Sequence, residues 1–188
     1  MNLIEGESFV NQDFSKSTFK LGEYENCVFR ICNFSAVDLS NVEFLECGFV
    51  GCDLSTIVVN KTAFKDVRFE DCKILGVQFI HVNPFLLEMA FSSCMLNDSG
   101  FTNLNLKGIH FKGCSMKSVD FGGANISKSV LDNCDLLGAL FERTNLEKAD
   151  FSTAYNFQLD PDENKLKGAK FSKDNVEGLL GKYKVKIQ

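Results

Sequence analysis

Histidine is scarce, at 2 of 188 residues, and there is no Cys-x-x-Cys pair. These two absences remove the usual ligand sets for zinc. There is also no recognisable nucleophile–base set and no cofactor motif, so the chain reads as a non-enzyme that needs no cofactor. Basic charge is not in excess. A net charge of −5 argues against direct nucleic-acid binding through the usual basic surface. Long apolar runs are missing too: the stretch from Pro84 to Phe91 is short and carries Glu88, so no membrane span is expected. Met1–Glu7 has no basic start and no apolar run before it turns acidic, so the expectation is a soluble cytoplasmic protein. The length suits one domain with ample chain to bury a core.

What the chain has in abundance is a five-residue period. An apolar residue returns at Phe9, Phe14, Phe19, Tyr24, Phe29 and every fifth position to Phe79. After a two-residue slip the count resumes at Leu86, Phe91 and Leu96 and runs to Phe151. All 29 positions hold Phe, Leu, Ile, Val, Met or Tyr, and 16 of the 19 phenylalanines lie there. A helix turns about 100° per residue, so a period of five smears its apolar groups around the cylinder, and a flat strand needs a period of two. Two residues before each centre the site is Gly, Ala, Ser, Thr, Cys or Val at 22 of 29 places. Inward spacing of two, three, two, three fits a short extended segment and then a corner, repeated.

The same rule places all eight cysteines. Cys27, Cys32, Cys47, Cys52, Cys72, Cys94, Cys114 and Cys134 each precede a centre by two. They are read as buried small side chains, not as a disulfide framework or a metal set. His110 lies four residues before Cys114, but the repeat points His110 outward and Cys114 inward, so the two do not converge.

Pentads such as Cys52-Asp53-Leu54-Ser55-Thr56, Cys134-Asp135-Leu136-Leu137-Gly138 and Ala149-Asp150-Phe151-Ser152-Thr153 resemble the pentapeptide-repeat family across residues 7–153. The resemblance implies an all-β fold: a right-handed quadrilateral parallel β-helix, four pentads to a coil of 20 residues. Residues 20 apart, or 22 apart across the slip, then share a column. One column reads Cys32, Cys52, Cys72, Cys94, Cys114, Cys134, and another Phe9, Phe29, Phe49, Phe69, Phe91, Phe111, Leu131, Phe151. At about 4.8 Å per coil, like rings lie over like rings.

The expected organisation is an N-terminal cap over 1–8, with Ile4 already in phase; a β-helix over 9–153, with its slip near 80–85; and a C-terminal cap and dimerisation segment over 154–188. Glu7 and Gln12 stand at early inward sites, so the first coil is expected to be partly wet. In the last segment Leu166 and Phe171 return to phase. Ser172 is a candidate N-cap. Val176, Leu179, Leu180 and Tyr183 have the spacing of a short amphipathic helix, and Lys184–Ile187 alternates like a strand. An open coil end beside an apolar helix face suits a homodimer.

Two surface sets stand out. Glu23, Glu25, Glu43, Glu46 and Asp66 collect on one face, and Glu88 extends it past the slip. Residues 1–94 carry 13 acids against 7 bases. This is either a solvated charged face or a binding face. Val10, Val28, Ile31 and Val50 form an exposed apolar group, either ordinary strand composition or a partner patch. His81, Asn83 and Pro84 lie in the slip, which is a tolerated insertion or a recognition feature.

The tail sharpens the resemblance. Leu159-Asp160-Pro161, Leu166-Lys167-Gly168-Ala169-Lys170-Phe171-Ser172 and Gly178-Leu179-Leu180 look like the C-terminal segment of Qnr-type quinolone-resistance proteins, related to MfpA. That resemblance implies a dimer through the tail. It also implies a DNA-mimicking rod that engages a type II topoisomerase such as DNA gyrase or topoisomerase IV, with a role in quinolone susceptibility. B-DNA carries one charge per about 1.7 Å, so the roughly 20 Å of the acidic half corresponds to about 12 phosphates. The chain departs from Qnr proteins that carry larger projecting loops, having only the two-residue slip. The competing reading is a scaffold module that binds another protein through the Val10–Ile31–Val50 face or the slip.

Overall fold

Short strands form where each pentad is extended, and they pair only with their equivalents one coil away. The structure is a computed structural model that describes residues 2–186. One parallel sheet stacks β1 (Leu3–Glu5), β3 (Glu23–Glu25), β5 (Glu43–Leu45) and β7 (Ala63–Lys65). A second stacks β2 (Ser8–Val10), β4 (Val28–Arg30), β6 (Gly48–Val50), β8 (Val67–Glu70), β9 (Met89–Ser92), β10 (His110–Lys112) and β11 (Val130–Asp132). Tyr24 lies opposite Ile4 and Phe44, a step of 20 residues, and Phe91 lies opposite Phe69, a step of 22 across the slip. The remaining sides continue as single-residue parallel bridges, such as Asp13–Asn33–Asp53–Lys73–Met95. The molecule is therefore the parallel β-helix expected from the pentads.

The axis is dry and aromatic. All but three of the pentad centres are buried, and Phe9 and Phe14, half-buried at the N-terminal end, still pack on the core. Rings of one column stack nearly face to face: Phe9 on Phe29 at 4.8 Å, Phe29 on Phe49 at 4.8 Å, Phe49 on Phe69 at 5.1 Å and Phe69 on Phe91 at 5.0 Å. Each such pair adds about 0.5–1.5 kcal/mol beyond the area it buries.

The inward site two residues before the centre selects for more than small size. Each thiol of the cysteine column donates to the carbonyl of the phenylalanine one coil earlier: Cys52 Sγ to Phe29 O at 3.4 Å, Cys72 Sγ to Phe49 O at 3.3 Å, Cys134 Sγ to Phe111 O at 3.5 Å. Thr62, Ser99 and Thr144 do the same for Leu39, Ile74 and Phe121 at 2.8, 2.8 and 2.9 Å. All eight cysteines are free and buried. Corners are turned by left-handed residues. Gly138 takes φ 71°, but Asn26, Ile31 and Lys128 adopt the same region with side chains present, a local strain that the inter-coil hydrogen bonds offset.

Four expectations need correction. Leu86 is not an inward centre. It is exposed, while Leu87 packs against the core. The 20-residue register persists to Asn83, whose amide donates to Thr62 O at 2.8 Å, and resumes where Val67 receives Met89. The extra residues therefore lie beyond Asn83, and the choice between adjacent leucines is made by loop geometry.

The short C-terminal helix is replaced by two 3-10 turns, Val176–Leu179 and Gly181–Tyr183. The cause is Gly178, which lies so close to the carbonyl and ring of Phe157 that a Cβ has no room. Its own carbonyl receives the Leu159 amide at 3.0 Å. Ser172 is not the N-cap. Its amide donates to Asn175 Oδ1 at 2.9 Å, and the Asn175 amide nitrogen in turn covers the carbonyls of Phe151 and Ala154 at 2.9 and 2.8 Å. The alternating tail is not a strand through Lys186: Lys184 is left-handed, Val185 and Lys186 join no regular element, and Ile187 lies outside the described residues.

Removing a stacked ring leaves a cavity that rigid neighbours cannot fill. Phe111→Ala, at a site with 0% exposure, should cost about 3–5 kcal/mol in denaturant unfolding. Phe85→Ala, on the surface, should stay within about 0.5 kcal/mol.

Burial pushes the Cys47 thiol up to about 11, against 9.0 for the free group. The folded form thus keeps a proton that the unfolded chain releases. Its contribution to stability is full below pH 9.0 and is lost as pH rises toward 11. Unfolding midpoints measured at rising pH should fall in this window. The native thiols should resist a thiol-titrating reagent until denaturant is added.

Candidate functional site

The acidic face grows from the first sheet. Its side chains alternate, so Tyr24, Phe44 and Phe64 point inward and the flanking residues point out. One outer column reads Leu3, Glu23, Glu43, Ala63 and the other Glu5, Glu25, Leu45, Lys65. Glu46 and Asp66 occupy the adjoining corner in the left-handed region, at φ 53° and 50°. Glu88 lies one coil beyond: its carbonyl receives the Val67 amide at 3.0 Å, and its amide donates to Phe64 O at 2.9 Å. The structure thus brings all six acids onto one strip and its edge.

Bases neutralise part of this strip. Half-buried Lys65 pairs with Glu43, and Arg68 pairs with Asp66 at 3.1 Å. Glu23, Glu25, Glu46 and Glu88 make no ion pair among the described residues. Beyond the slip the first outer column changes character and becomes an asparagine ladder, Asn105–Asn125–Asn145, with Asn125 Nδ2 donating to Asn105 Oδ1 at 2.8 Å. The negative field therefore belongs to the first half of the rod.

The slip begins as a 3-10 turn over Phe79–His81, and His81 is exposed. Val82 turns inward and is buried. Asn83 Oδ1 caps the Phe85 amide at 3.0 Å, and Pro84 is exposed. The consequence is a knob that the sequence reading missed: Phe85 and Leu86 are both 65% exposed. Lys65 Nζ sits 5.9 Å from the Phe85 ring, so the knob adjoins the acidic strip. The apolar group on the second sheet is less continuous than expected, because Arg30 separates Val10 from Val50 in their column.

At the other end, the four candidate cap residues do not share a face. Leu179 packs on the core, Leu180 lines a cleft, and Val176 and Tyr183 are exposed. The cleft has a volume of about 510 Å³ and is also lined by Leu137, Tyr155 and Val185, all exposed. Leu137 and Tyr155 arrive from earlier coils, so only the stacking brings them to the tail. Lys182 ties the segment down through Asp160, at 2.6 Å, and Asp162.

Among the described residues these groups lie on outer columns of the rod. Such an arrangement defines a repeat protein that presents surfaces. The chain belongs to the pentapeptide repeat family, whose repeat-region model matches residues 22–84 and 76–151. That family description names a repeat region. A comparison with curated proteins finds no match.

Among solved structures, full-length QnrB1, a plasmid-mediated fluoroquinolone resistance protein, is 19% identical, with a TM-score of 0.42 over 98% of this chain and 100% of that one. HetL, a pentapeptide repeat protein involved in heterocyst differentiation regulation in the cyanobacterium Nostoc, is 16% identical, with a TM-score of 0.36 over 90% of this chain and 84% of its own. A pentapeptide repeat protein from the Arabidopsis thaliana thylakoid lumen is 22% identical, with a TM-score of 0.35 over 50% of this chain and 57% of its own. No helix among the described residues is long and apolar enough to cross a membrane.

Proposed function

We propose that this chain is a cytoplasmic binding protein whose acidic strip occupies a basic, DNA-holding groove of a type II topoisomerase such as DNA gyrase, and so modulates quinolone susceptibility. The observation that carries this reading is the set of carboxylates without an ion pair on one strip of the rod and its edge: Glu23 and Glu25 on one coil, Glu46 on the next and Glu88 two coils further. Negative charges held on a stiff scaffold meet a basic groove with little ordering cost. The tail motifs Leu159-Asp160-Pro161 and Gly178-Leu179-Leu180, which resemble Qnr-type proteins, support the choice of partner. The strip is diluted by Lys65 and Arg68, so its charge density stays below that of a duplex.

Binding of this kind is salt-sensitive and competes with DNA. The quadruple change Glu23→Lys, Glu25→Lys, Glu46→Lys and Glu88→Lys should abolish any effect on gyrase supercoiling, with or without a quinolone, while circular dichroism stays unchanged. Glu142→Lys in the second half should behave as wild type. An undiminished effect in the quadruple variant refutes the topoisomerase reading.

The protein acts as a homodimer through its C-terminal segment, where exposed Val176 and Tyr183 flank a cleft of mixed lining that includes Leu137, Tyr155 and Leu180. The double change Val176→Glu and Tyr183→Glu should yield a monomer by sedimentation, with unfolding shifted by less than about 1 kcal/mol. A wild-type monomer at all concentrations refutes it.

A second reading is favoured by the Phe85–Leu86 knob: a scaffold module that docks an unrelated protein through an apolar anchor beside the acids. In that case Phe85→Ser abolishes partner binding and the charge reversal does not.

A further inference from the structure

The first coil fails to close on the second along one side. At four later steps on that side one coil receives an amide from the next: Val58 donates to Val37 O at 3.0 Å, Gly100 to Val77 O at 3.0 Å, Asp120 to Ser99 O at 3.0 Å and Leu140 to Val119 O at 2.8 Å. The step from Val58 to Gln78 lacks this bond, but there the flanking amides of Thr56 and Lys61 still reach Leu75 O and His81 O. The same register asks the Asp38 amide to reach Ser17 O. It also asks the carbonyls of Ser35, Asp38 and Ser40 to receive the amides of Lys16, Phe19 and Leu21. Among the described residues none of these four bonds forms. Asp38 bridges Val58, but Thr18 does not bridge Asp38. The segment from Ser15 to Leu21 swings outward instead, opening a cleft of about 540 Å³ walled by Phe14, Phe19, Leu21 and Val37, with Asp38 and Ser40 on its coil-two edge.

Side chains brace the open form at both ends. Asp13 takes the Ser15 amide at 3.2 Å and pairs with Lys16 at 2.8 Å. The Tyr24 hydroxyl donates to Lys20 O at 2.7 Å. The Phe19 ring turns into the axis, 5.1 Å from Phe14, 5.1 Å from Tyr24 and 5.4 Å from Phe34, and plugs the end of the core. That use of Phe19 keeps its backbone away from Asp38.

We propose that this slot takes an extended segment of a partner protein, with a lysine or arginine between two apolar residues, added to the edge of the second coil. An unpaired amide and carbonyl on one residue is the template on which a parallel strand builds. The incoming segment gives its carbonyl to the Asp38 amide and, two residues on, its amide to the Asp38 carbonyl. The side chain between those two groups stands beside the Asp38 carboxylate, and its neighbours meet the phenylalanine and valine walls. Asp38 is the one charged residue lining the cleft among the described residues, and it makes no ion pair there. Hydrogen bonds from the Ser40 side chain and amide hold its carboxyl below the usual range, so the slot presents a negative charge at neutral pH.

Amide hydrogen exchange read by NMR tests this, with an acetylated, amidated Val-Lys-Val-Lys-Val peptide as probe. In the free protein the Asp38 amide should exchange fast, while those of Val58, Gly100, Asp120 and Leu140 are protected. The peptide should protect Asp38 selectively at up to about 1 mM, and Asp38→Asn should weaken binding about fivefold, the size of one exposed charge pair. The proposal is overturned if Asp38 is already as protected as its four equivalents, because the segment then closes on itself. It is also overturned if the peptide leaves Asp38 unprotected, or if Asp38→Asn binds equally well. Protection that rises with protein concentration without peptide assigns the slot to a second copy and equally overturns it.

Discussion

Vertical registration governs this molecule. Each coil hands its backbone amides and carbonyls to the coils on either side, and the offsets allow no slack: one step displaced, every inward ring turns out. Hydrogen bonding and ring stacking therefore enforce the same alignment. The phenylalanine files at 4.8–5.1 Å and the thiol-to-carbonyl contacts of the cysteine file are two expressions of it. A buried carbonyl left without a donor costs about 1–3 kcal/mol. That cost explains why the small inward site so often carries a sulfhydryl or hydroxyl and not just a methyl group.

Registration also determines what the surface can say. Outward residues are sorted into columns, so one substitution repeated at intervals of 20 makes a stripe. Stacked glutamates repel one another, and the rod tolerates this because its core holds them in place regardless. Local ion pairs temper the repulsion where Lys65 and Arg68 intervene. Where registration lapses, at the slip and at the first coil, the molecule shows its irregular features: an apolar knob in one place, an open edge in the other.

The columns were legible in the sequence because a period survives noise. Cys32 to Cys134, and Phe9 to Phe151, needed only counting. Partial wetting of the first coil was legible too, since Glu7 and Gln12 stand where small residues belong, and Phe9 and Phe14 are indeed half-buried. The local choices were not legible. Leu86 and Leu87 are chemically identical, and only the path around Pro84 decides which enters the core. The tail has helical spacing, but Gly178 pressed on Phe157 enforces tighter turns. The pairing of Glu43 with Lys65 depends on neighbours 22 residues apart in sequence. The placing of six acids on one strip was arithmetic. Which four stay unpaired required coordinates.

The inter-coil hydrogen bonds run along the rod, and the first and last described coils lie at opposite ends of the stack. Tension applied between the termini would therefore load these bonds one coil at a time, by peeling, instead of shearing a whole sheet at once. The rod should yield at low force and in small, even steps, each releasing one turn of chain. Stiff as it is when bound along its flank, it offers little resistance to being unwound from its tip.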